Sequence, residues 1–280
     1  NIGSAAGDTF QVAQGSGAGG STFTFGSGLT FRHVGQNASI DLQPNTTLVN
    51  NGLMIADRAG GAIYITNAQN QTHSQFTNAG LLSVLNHDSM TIATTGLTNT
   101  GKMFVSGGAE LDIDLATTTA KLGDVRNIGG TLAIMGVGLI DNTGSTLKVG
   151  TGSTIGTITL RDYGEIEYGT IVDGGGGMVF KGGLLSGVDY RGTMDLSAAG
   201  ANTSIAESLS MAIAPTRTGM STGTIDLTGD NAFLQFVHTT TIQNAKIKIG
   251  STQGATLTNF NETAGPAMQL TLADTVTVDQ

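Results

Sequence analysis

Short runs of alternating apolar and polar residues follow one another along almost the whole chain, separated by glycine-rich turns. Thr157-Ile158-Thr159-Leu160 and Thr224-Ile225-Asp226-Leu227 are typical runs. Alternation with a period of two residues predicts β-strands that each bury one face. Because the strands are short and repeat end to end, they indicate coils that stack on their neighbours. The pattern therefore predicts an all-β fold, a β-solenoid.

Asparagine-glycine turns precede several of the apolar runs. Both residue types tolerate positive φ, so we expect the chain to bend sharply there. Asparagines that repeat at one corner are expected to stack as an amide ladder. A repeat of ~22 residues would give about 12 or 13 coils. The turns are Asn50-Asn51-Gly52, Asn78-Ala79-Gly80, Asn99-Thr100-Gly101, Asn127-Ile128-Gly129 and Asn142-Thr143-Gly144.

We interpret residues 1–280 as one continuous solenoid. Residues 1–30, rich in glycine and serine, are expected to form an irregular opening portion. The glycines at 174–177 indicate either a hinge between two segments or a wide turn, and we favour the turn. In the second half, the motif Gly192-Thr193-Met194-Asp195-Leu196 recurs as Gly223-Thr224-Ile225-Asp226-Leu227.

One segment has both helical and strand character. Ser204-Ile205-Ala206-Glu207 matches a helix-capping box, with Pro215 as a stop. Leu209, Met211 and Ile213 nevertheless alternate with small residues, and the surrounding sequence is all strand. We therefore predict a strand. Pro44, Pro215 and Pro266 all fall in breaks between apolar runs, where a missing N–H leaves no gap in a strand ladder.

Composition excludes several classes of partner. Charged residues make up 12% of the chain, about half of the usual ~25%. The net charge is −9 and the basic residues are scattered, which argues against nucleic-acid binding and against an anionic membrane surface. The longest apolar stretch, 131–140, is about half of the ~20 residues that a spanning helix needs, so no membrane insertion is predicted. The absence of cysteine excludes disulfides and thiolate metal sites.

The two ends of the sequence suggest a secreted chain or a piece of one. The sequence starts at Asn1 without Met or an apolar leader, so we expect a removed signal or a longer parent. The last strands, near 268–278, show no cap. We expect this end to continue in a longer chain or to stack on another molecule.

The densest charged patch is Arg161 to Tyr168. In a strand Glu165 and Glu167 project from one face, with Tyr163, which would suit a sugar-binding groove with an acid pair. The simpler interpretation, which we favour, is a charged outer strand with Ile166 pointing inward. Asp112 and Asp114 would similarly share a strand face. We interpret them as surface carboxylates rather than as a calcium site.

Other candidate chemistry is weaker. His87-Asp88-Ser89 contains the residue types of a catalytic triad, but neighbours in one turn cannot form a buried relay, so we predict a polar turn. The four histidines, at 33, 73, 87 and 238, lack metal-ligand spacing. Thr-x-Thr pairs recur at no constant interval, which favours β-propensity over an ice-binding array. We assign no catalytic, cofactor-binding or metal-binding residue and predict no enzyme and no cofactor.

The Asn-x-Gly turns resemble the coils of bacterial autotransporter passengers and filamentous-haemagglutinin-type exoproteins. The stretch from Gly183 to Ser197 is similar to repeats of large β-strand-rich bacterial surface proteins. The resemblance covers most of residues 40–280. It implies a single-stranded right-handed parallel β-helix that is secreted and displayed on the bacterial cell surface. It carries over no functional residue.

The function expected from this resemblance is structural or adhesive. In one mechanism a stalk or adhesin segment presents its flank to a surface polysaccharide or a host receptor. In the other, subunits self-associate through exposed end coils or lateral contacts into a filament, a biofilm or an extracellular matrix. The alternative from a different class is a β-helix that binds or cleaves polysaccharide.

Overall fold

A computed structural model describes residues 1–13, 20–67, 73–216, 219–260 and 267–280. Its parallel strands stack into an all-β solenoid of about 9 turns, which confirms the predicted fold class. Residues 14–19 of the glycine-rich opening, and Pro266, lie outside the described residues. Within these residues the chain forms two compact units, Asn1–Leu139 and Ile140–Gln280. The interpretation as one continuous solenoid stays a prediction.

The predicted number of coils was too high. About 9 turns replace the about 12 or 13 expected from a ~22-residue repeat. The reason is that several coils are longer: Thr9 and Ser39, hydrogen-bonded one turn apart, are separated by 30 residues, and Asp41 and Thr66 by 25. No helix in the described part of the chain is both long and apolar enough to cross a membrane.

In the first unit, parallel strands form three columns. One column contains β1, β4, β7, β10, β13 and β16, the second β2, β5, β8 and β11, and the third β3, β6, β9, β12 and β15. The elements are β1 (Asp8–Val12), β2 (Ser21–Phe25), β3 (Thr30–His33), β4 (Asn37–Leu42), β5 (Thr46–Asn50), β6 (Leu53–Ala56), β7 (Ala62–Asn67), β8 (Gln75–Asn78), β9 (Leu81–Val84), β10 (Ser89–Ala93), β11 (Gly96–Asn99), β12 (Lys102–Ser106), β13 (Glu110–Ile113), β14 (Ala116–Thr118), α1 (Thr119–Leu122), β15 (Asp124–Ile128) and β16 (Thr131–Ile134).

The core of this unit is built from columns of aligned side chains. In the first strand column, alternation turns every second residue inward, and matched registers place like residues above one another. One row begins with Phe10 on β1 and continues through five fully buried isoleucines. These are Ile40, Ile65, Ile92, Ile113 and Ile134.

The predicted amide ladder is present at three of the Asn-x-Gly turns. The Asn50 side chain donates from Nδ2 to Asn78 Oδ1 at 2.8 Å, and Asn78 donates in the same way to Asn99 Oδ1 at 2.8 Å. Asn99 Nδ2 donates to the backbone carbonyl of Leu122, at the end of α1, at 2.9 Å. All three asparagines are buried. The ladder thus satisfies polar groups that would otherwise be costly inside the solenoid.

Glycine serves a different purpose in these turns from the one predicted. Gly52, Gly80 and Gly101 are not among the residues with positive φ. A Cβ on Gly80 would instead lie 2.1 Å from the Gly52 carbonyl oxygen, and one on Gly101 would lie 2.1 Å from that of Gly80. The turns stack so closely that only hydrogen fits. Gly129 and Gly144 do adopt positive φ, as predicted.

The second unit combines short strands with longer ones. It contains β17 (Leu139–Asp141), which begins at the unit boundary, β18 (Thr146–Val149), β19 (Ile158–Arg161), β20 (Glu165–Glu167), β21 (Thr170–Asp173), β22 (Met178–Arg191), β23 (Thr193–Asp195), β24 (Asn202–Ser210), β25 (Ala212–Thr216), β26 (Gly219–Leu227), β27 (Phe233–Val237), β28 (Thr240–Gln243), β29 (Ala245–Ile249), β30 (Thr256–Phe260), β31 (Leu270–Leu272) and β32 (Thr277–Asp279).

The long strand β22 spans the width of three shorter ones. It pairs in parallel with β19, β20 and β21 on one side and with β24 on the other. β24 covers most of the segment with mixed character, so the strand predicted there is confirmed. The two copies of the sequence motif stack directly, with Met194 opposite Ile225 and Asp195 opposite Asp226.

The tetraglycine segment forms a turn held by one carboxylate. Asp173 Oδ1 accepts hydrogen bonds from the backbone N–H of Gly175 at 2.8 Å and of Gly177 at 2.9 Å. Its other oxygen accepts from the Tyr190 hydroxyl at 2.6 Å, and Tyr190 is fully buried. Residues 174–177 therefore form a turn, and the preference for a wide turn within one stack over a hinge stays a prediction.

Candidate functional site

The charged patch predicted from the sequence lies on a tight turn and a short strand of the second unit. Asp162 and Tyr163 both adopt positive φ, 48° and 72°, and link β19 to β20. Ile166 is fully buried, whereas Glu165 and Glu167 on either side are half-buried and face outward. This confirms the favoured interpretation of an outer strand with Ile166 pointing inward.

Tyr163 does not belong to the strand, because its left-handed backbone places it in the turn. Its N–H donates to the Gly182 carbonyl oxygen at 2.9 Å, which fixes the turn against β22. Its side chain is 88% exposed. The turn therefore holds a large aromatic ring in solvent instead of packing it into the core.

A groove of about 530 Å³ runs across the outer face of the sheet beside this ring. Its floor crosses β22, β24 and β27, where Leu184, Ser204 and Gln235 occupy one row across the three strands. Polar and charged side chains dominate its wall. The groove is lined by Asp162, Tyr163, Lys181, Gly182, Gly183, Leu184, Asn202, Ser204, Gln235, Val237 and His238.

An acidic cluster lies beside the groove. Glu165 is in register with Leu184, a groove residue, but is not itself part of the groove lining. Burial, followed by the charges of Glu167 and Glu207, raises the pKa of Glu165. Burial, followed by the charges of Asp141 and Glu207, raises the pKa of Glu167.

Glu207 reaches this cluster because β24 is irregular. The register with β22 shifts between Ser186 and Val188, and Glu207 adopts a positive φ of 61°. Its carboxylate accepts from the Tyr168 hydroxyl at 3.5 Å. The nearby charges of Glu207 and Glu167 raise the pKa of Tyr168. The cluster is thus a region of negative potential next to the groove.

The remaining predicted candidates have structural partners. Asp112 is buried, so the interpretation of it as a surface carboxylate was wrong, and its Oδ2 accepts from the Thr91 hydroxyl at 3.3 Å. Asp114 Oδ1 accepts from the Val137 N–H at 2.8 Å. Across the described ranges, no group of three or more His, Cys, Asp or Glu side chains is arranged to hold a metal ion. His87 has a positive φ of 59° in its turn, as a polar turn residue.

The structure also contains a buried histidine–aspartate pair that the sequence reasoning missed. Asp88 Oδ2 pairs with Nδ1 of His33 at 2.8 Å, across 55 residues, and both side chains are inaccessible to solvent. Asp88 also accepts from the N–H groups of Arg58 at 2.8 Å and Ser89 at 2.9 Å. Because the pair is sealed from solvent, we interpret it as part of the core. The groove residues Lys181, Asn202, Gln235 and His238 were missed as well.

Comparison of this chain with protein-family models, curated proteins and solved structures finds no match.

Proposed function

We propose that this chain is an adhesive structural protein of the bacterial surface or extracellular matrix, and that the flank of its second unit binds polysaccharide. The groove beside Tyr163 is the observation that supports this proposal. The bacterial and extracellular setting rests on the resemblance of the coils to surface proteins.

The composition of the groove suits a sugar. An exposed tyrosine ring offers a flat apolar surface for the C–H face of a pyranose, while its hydroxyl stays in water. Asn202 and Gln235 each provide both a donor and an acceptor, which matches the hydroxyl groups of a sugar. Ser204, in register with Gln235 and two residues after Asn202, also lines the groove. Binding sites typically combine such a surface with a few placed polar groups.

The spacing of the sheet favours an extended ligand. Adjacent strands lie ~4.8 Å apart, so the row from Leu184 through Ser204 to Gln235 places one apolar and two polar side chains at a regular short interval. A polysaccharide chain lying across the strands would meet a new set of side chains at each step. The groove would thereby hold several sugar units, which raises affinity through repeated weak contacts.

The test is binding of the purified chain to a panel of soluble glycans by affinity electrophoresis. Tyr163→Ala is expected to weaken binding about 3- to 10-fold, the value of one aromatic contact. Tyr168→Ala, which removes another exposed tyrosine of the same unit outside the groove lining, is the matched control. Equal affinity of both variants and the parent would contradict the proposal.

Polysaccharide cleavage is a second candidate, favoured by the raised pKa of Glu165 beside Glu167. A carboxyl group with a raised pKa near a second carboxylate is the arrangement used for glycoside hydrolysis. Because neither glutamate lines the groove, we favour binding over cleavage. Release of reducing ends from the bound glycan, abolished in a Glu165→Gln/Glu167→Gln double variant, would reverse this preference.

Self-association is the second mechanism of the structural proposal. Four phenylalanines cluster in the first turn, and Phe23, which contacts Phe10 with ring centroids 5.3 Å apart, is 42% exposed. Sedimentation velocity at increasing concentration measures association directly. If the parent forms larger species as its concentration rises and a Phe23→Ser variant stays monomeric, the self-association contact lies at this phenylalanine cluster.

A further inference from the structure

Asn51 is the only asparagine in the chain that is followed directly by glycine. It lies in the turn between β5 and β6 and is exposed, whereas Gly52 is buried. In the described part of the chain, the side-chain amide of Asn51 makes no hydrogen bond. An exposed, unbonded amide therefore lies beside the peptide nitrogen of a residue without a Cβ.

The other turns of the ladder show that this amide is not needed for folding. The residue after the ladder asparagine is Asn51 in the first turn, but Ala79 in the second and Thr100 in the third. All three donate a backbone N–H to the turn before them, at 2.9, 2.8 and 2.8 Å. Because alanine and threonine serve equally well at this place, we expect an Asn51→Ala variant to fold like the parent.

An asparagine before glycine can lose its amide group without an enzyme. Hydroxide removes the proton from the Gly52 nitrogen, which then attacks Cγ of Asn51. The new C–N bond closes a five-membered succinimide ring, the bond from Cγ to the side-chain nitrogen breaks, and ammonia leaves. Water then opens the ring at either carbonyl and gives aspartate or isoaspartate. The reaction consumes one water and releases one ammonia, with no change of oxidation state. The missing Cβ of Gly52 lets the backbone adopt the conformation that closes the ring.

One hydrogen bond opposes this reaction in the folded chain. The Gly52 N–H donates to Oδ1 of Asn50 at 3.1 Å. Asn50 is fully buried and is itself held by its bond to Asn78 at 2.8 Å. While the bond to Asn50 lasts, the Gly52 nitrogen keeps its proton and is not free to attack. The first member of the ladder therefore controls the access of Asn51 to its nucleophile.

We propose that Asn51 is a site of spontaneous deamidation, and that the hydrogen bond from Gly52 to Asn50 sets its rate. The isoaspartate product adds a methylene group to the main chain between Asn50 and Gly52. The turn has no room for this group, since a Cβ built on Gly80 in the next turn would lie only 2.7 Å from the carbonyl carbon of Asn51. Modified chains therefore lose the close stacking of the first two ladder turns. This inference goes beyond the proposed polysaccharide binding and does not depend on it.

The test is incubation of the purified full-length chain at mildly alkaline pH, followed by mass spectrometry of its tryptic peptides. The peptide 33–58 contains Asn51 together with the asparagines at 37, 45 and 50, which serve as an internal comparison. Asn51 is expected to deamidate first and to give isoaspartate as well as aspartate. Asn50→Ala frees the Gly52 N–H and should accelerate the reaction about 3- to 10-fold. Asn99→Ala breaks the other end of the ladder and leaves that bond in place, so it is the matched control.

Two results would overturn this inference. In one, Asn51 of the folded parent deamidates no faster than the other asparagines of the peptide. In the other, Asn50→Ala and Asn99→Ala accelerate the reaction equally. If circular dichroism shows that Asn50→Ala is unfolded, the parent in urea replaces it, and equal rates in urea and in native buffer contradict control by the hydrogen bond.

The effect on the fold has its own measurement. After long incubation the parent should unfold at a lower urea concentration than an Asn51→Ala variant incubated in the same way, because only the parent can form isoaspartate at this position. Equal unfolding midpoints, with isoaspartate present in the parent, would contradict the predicted damage to the stacking of the turns.

Discussion

The two units satisfy their buried polar groups in different ways. In the first unit, Asn50, Asn78 and Asn99 form a continuous side-chain ladder that passes through successive turns. In the second, Asp173 holds one turn and one tyrosine through its two carboxylate oxygens, and the buried Asn142 donates to the backbone carbonyl of Thr170. A ladder couples several turns because each member needs the next, whereas the Asp173 clamp joins one turn to Tyr190 on the neighbouring strand β22. We therefore expect the loss of one ladder residue to lower the free energy of unfolding more than the loss of the clamp.

The largest effect is expected at the middle of the ladder. Asn78→Ala removes a group that both donates and accepts, so one N–H of Asn50 Nδ2 loses its acceptor and Asn99 Oδ1 loses its donor, while Asn50 keeps its bond to the Leu81 carbonyl. Each unsatisfied buried group costs about 1–3 kcal/mol, so the free energy of unfolding should fall by about 3–5 kcal/mol. Urea unfolding followed by circular dichroism measures it.

Asn127→Ala is the control for this substitution. Asn127 belongs to the same sequence pattern but accepts at Oδ1 from the nearby Gly130 N–H at 2.9 Å, outside the ladder. Its loss should lower the free energy of unfolding by about 1 kcal/mol. Equal losses for the two variants would show that the ladder does not couple the turns.

A somewhat smaller effect is expected when the turns of the ladder are forced apart. Gly80→Ala places a methyl group 2.1 Å from the Gly52 carbonyl oxygen, so the backbone has to move. Overpacking of this kind costs about 2–3 kcal/mol. Gly129 has open space around the missing Cβ, so a Gly129→Ala variant meets no steric clash. Only its positive φ of 69° disfavours alanine, which should lower the free energy of unfolding by about 1 kcal/mol. Thermal unfolding of both variants gives the ranking, and a more stable Gly80→Ala variant would refute the close stacking.

The smallest effect is expected at the clamp of the second unit. Tyr190→Phe removes the hydroxyl that donates to Asp173 Oδ2, which should lower the free energy of unfolding by about 1–2 kcal/mol at neutral pH. Burial, together with Asp173, raises the pKa of Tyr190 well above 10.0. Above pH 10.0 the folded protein therefore keeps the hydroxyl proton of Tyr190, whereas the unfolded chain loses it. The parent should become less stable as pH rises above 10.0, more steeply than Tyr190→Phe.

Denaturant titrations at pH 8 and at several values above pH 10 compare the two slopes. If Tyr190→Phe loses stability with pH as steeply as the parent, the hydroxyl is not the buried proton donor that the contact with Asp173 indicates.

Features that repeat could be predicted from the sequence, and features that occur once could not. Alternation predicted the strands, and Asn-x-Gly turns predicted the amide ladder at Asn50, Asn78 and Asn99. The same pattern at Asn127 formed no ladder, because Asn127 is in register with Val105 and not with another asparagine. Register depends on coil length, and the coils vary in length.

Contacts between distant coils had no local signal. The sequence places Asp88 beside His87 and Ser89 in a predicted polar turn, yet its side-chain partner is His33, 55 residues away. The groove collects residues from the turn at Tyr163 through β22 and β24 to His238, each ordinary in its own segment. The charged patch at 161–168 was recognisable because its residues are consecutive. The inward position of Ile166 followed from alternation alone.

The asparagine ladder has a direction. Each amide donates toward the later turn, and Asn78 and Asn99 accept from the earlier asparagine. The first, Asn50, accepts from the Gly52 N–H, and the last donates to the carbonyl of Leu122. A duplicated or deleted copy of the 21-residue interval from Asn78 to Asn99 would again place an asparagine opposite an asparagine. The ladder itself would therefore accept the gain or loss of a whole interval.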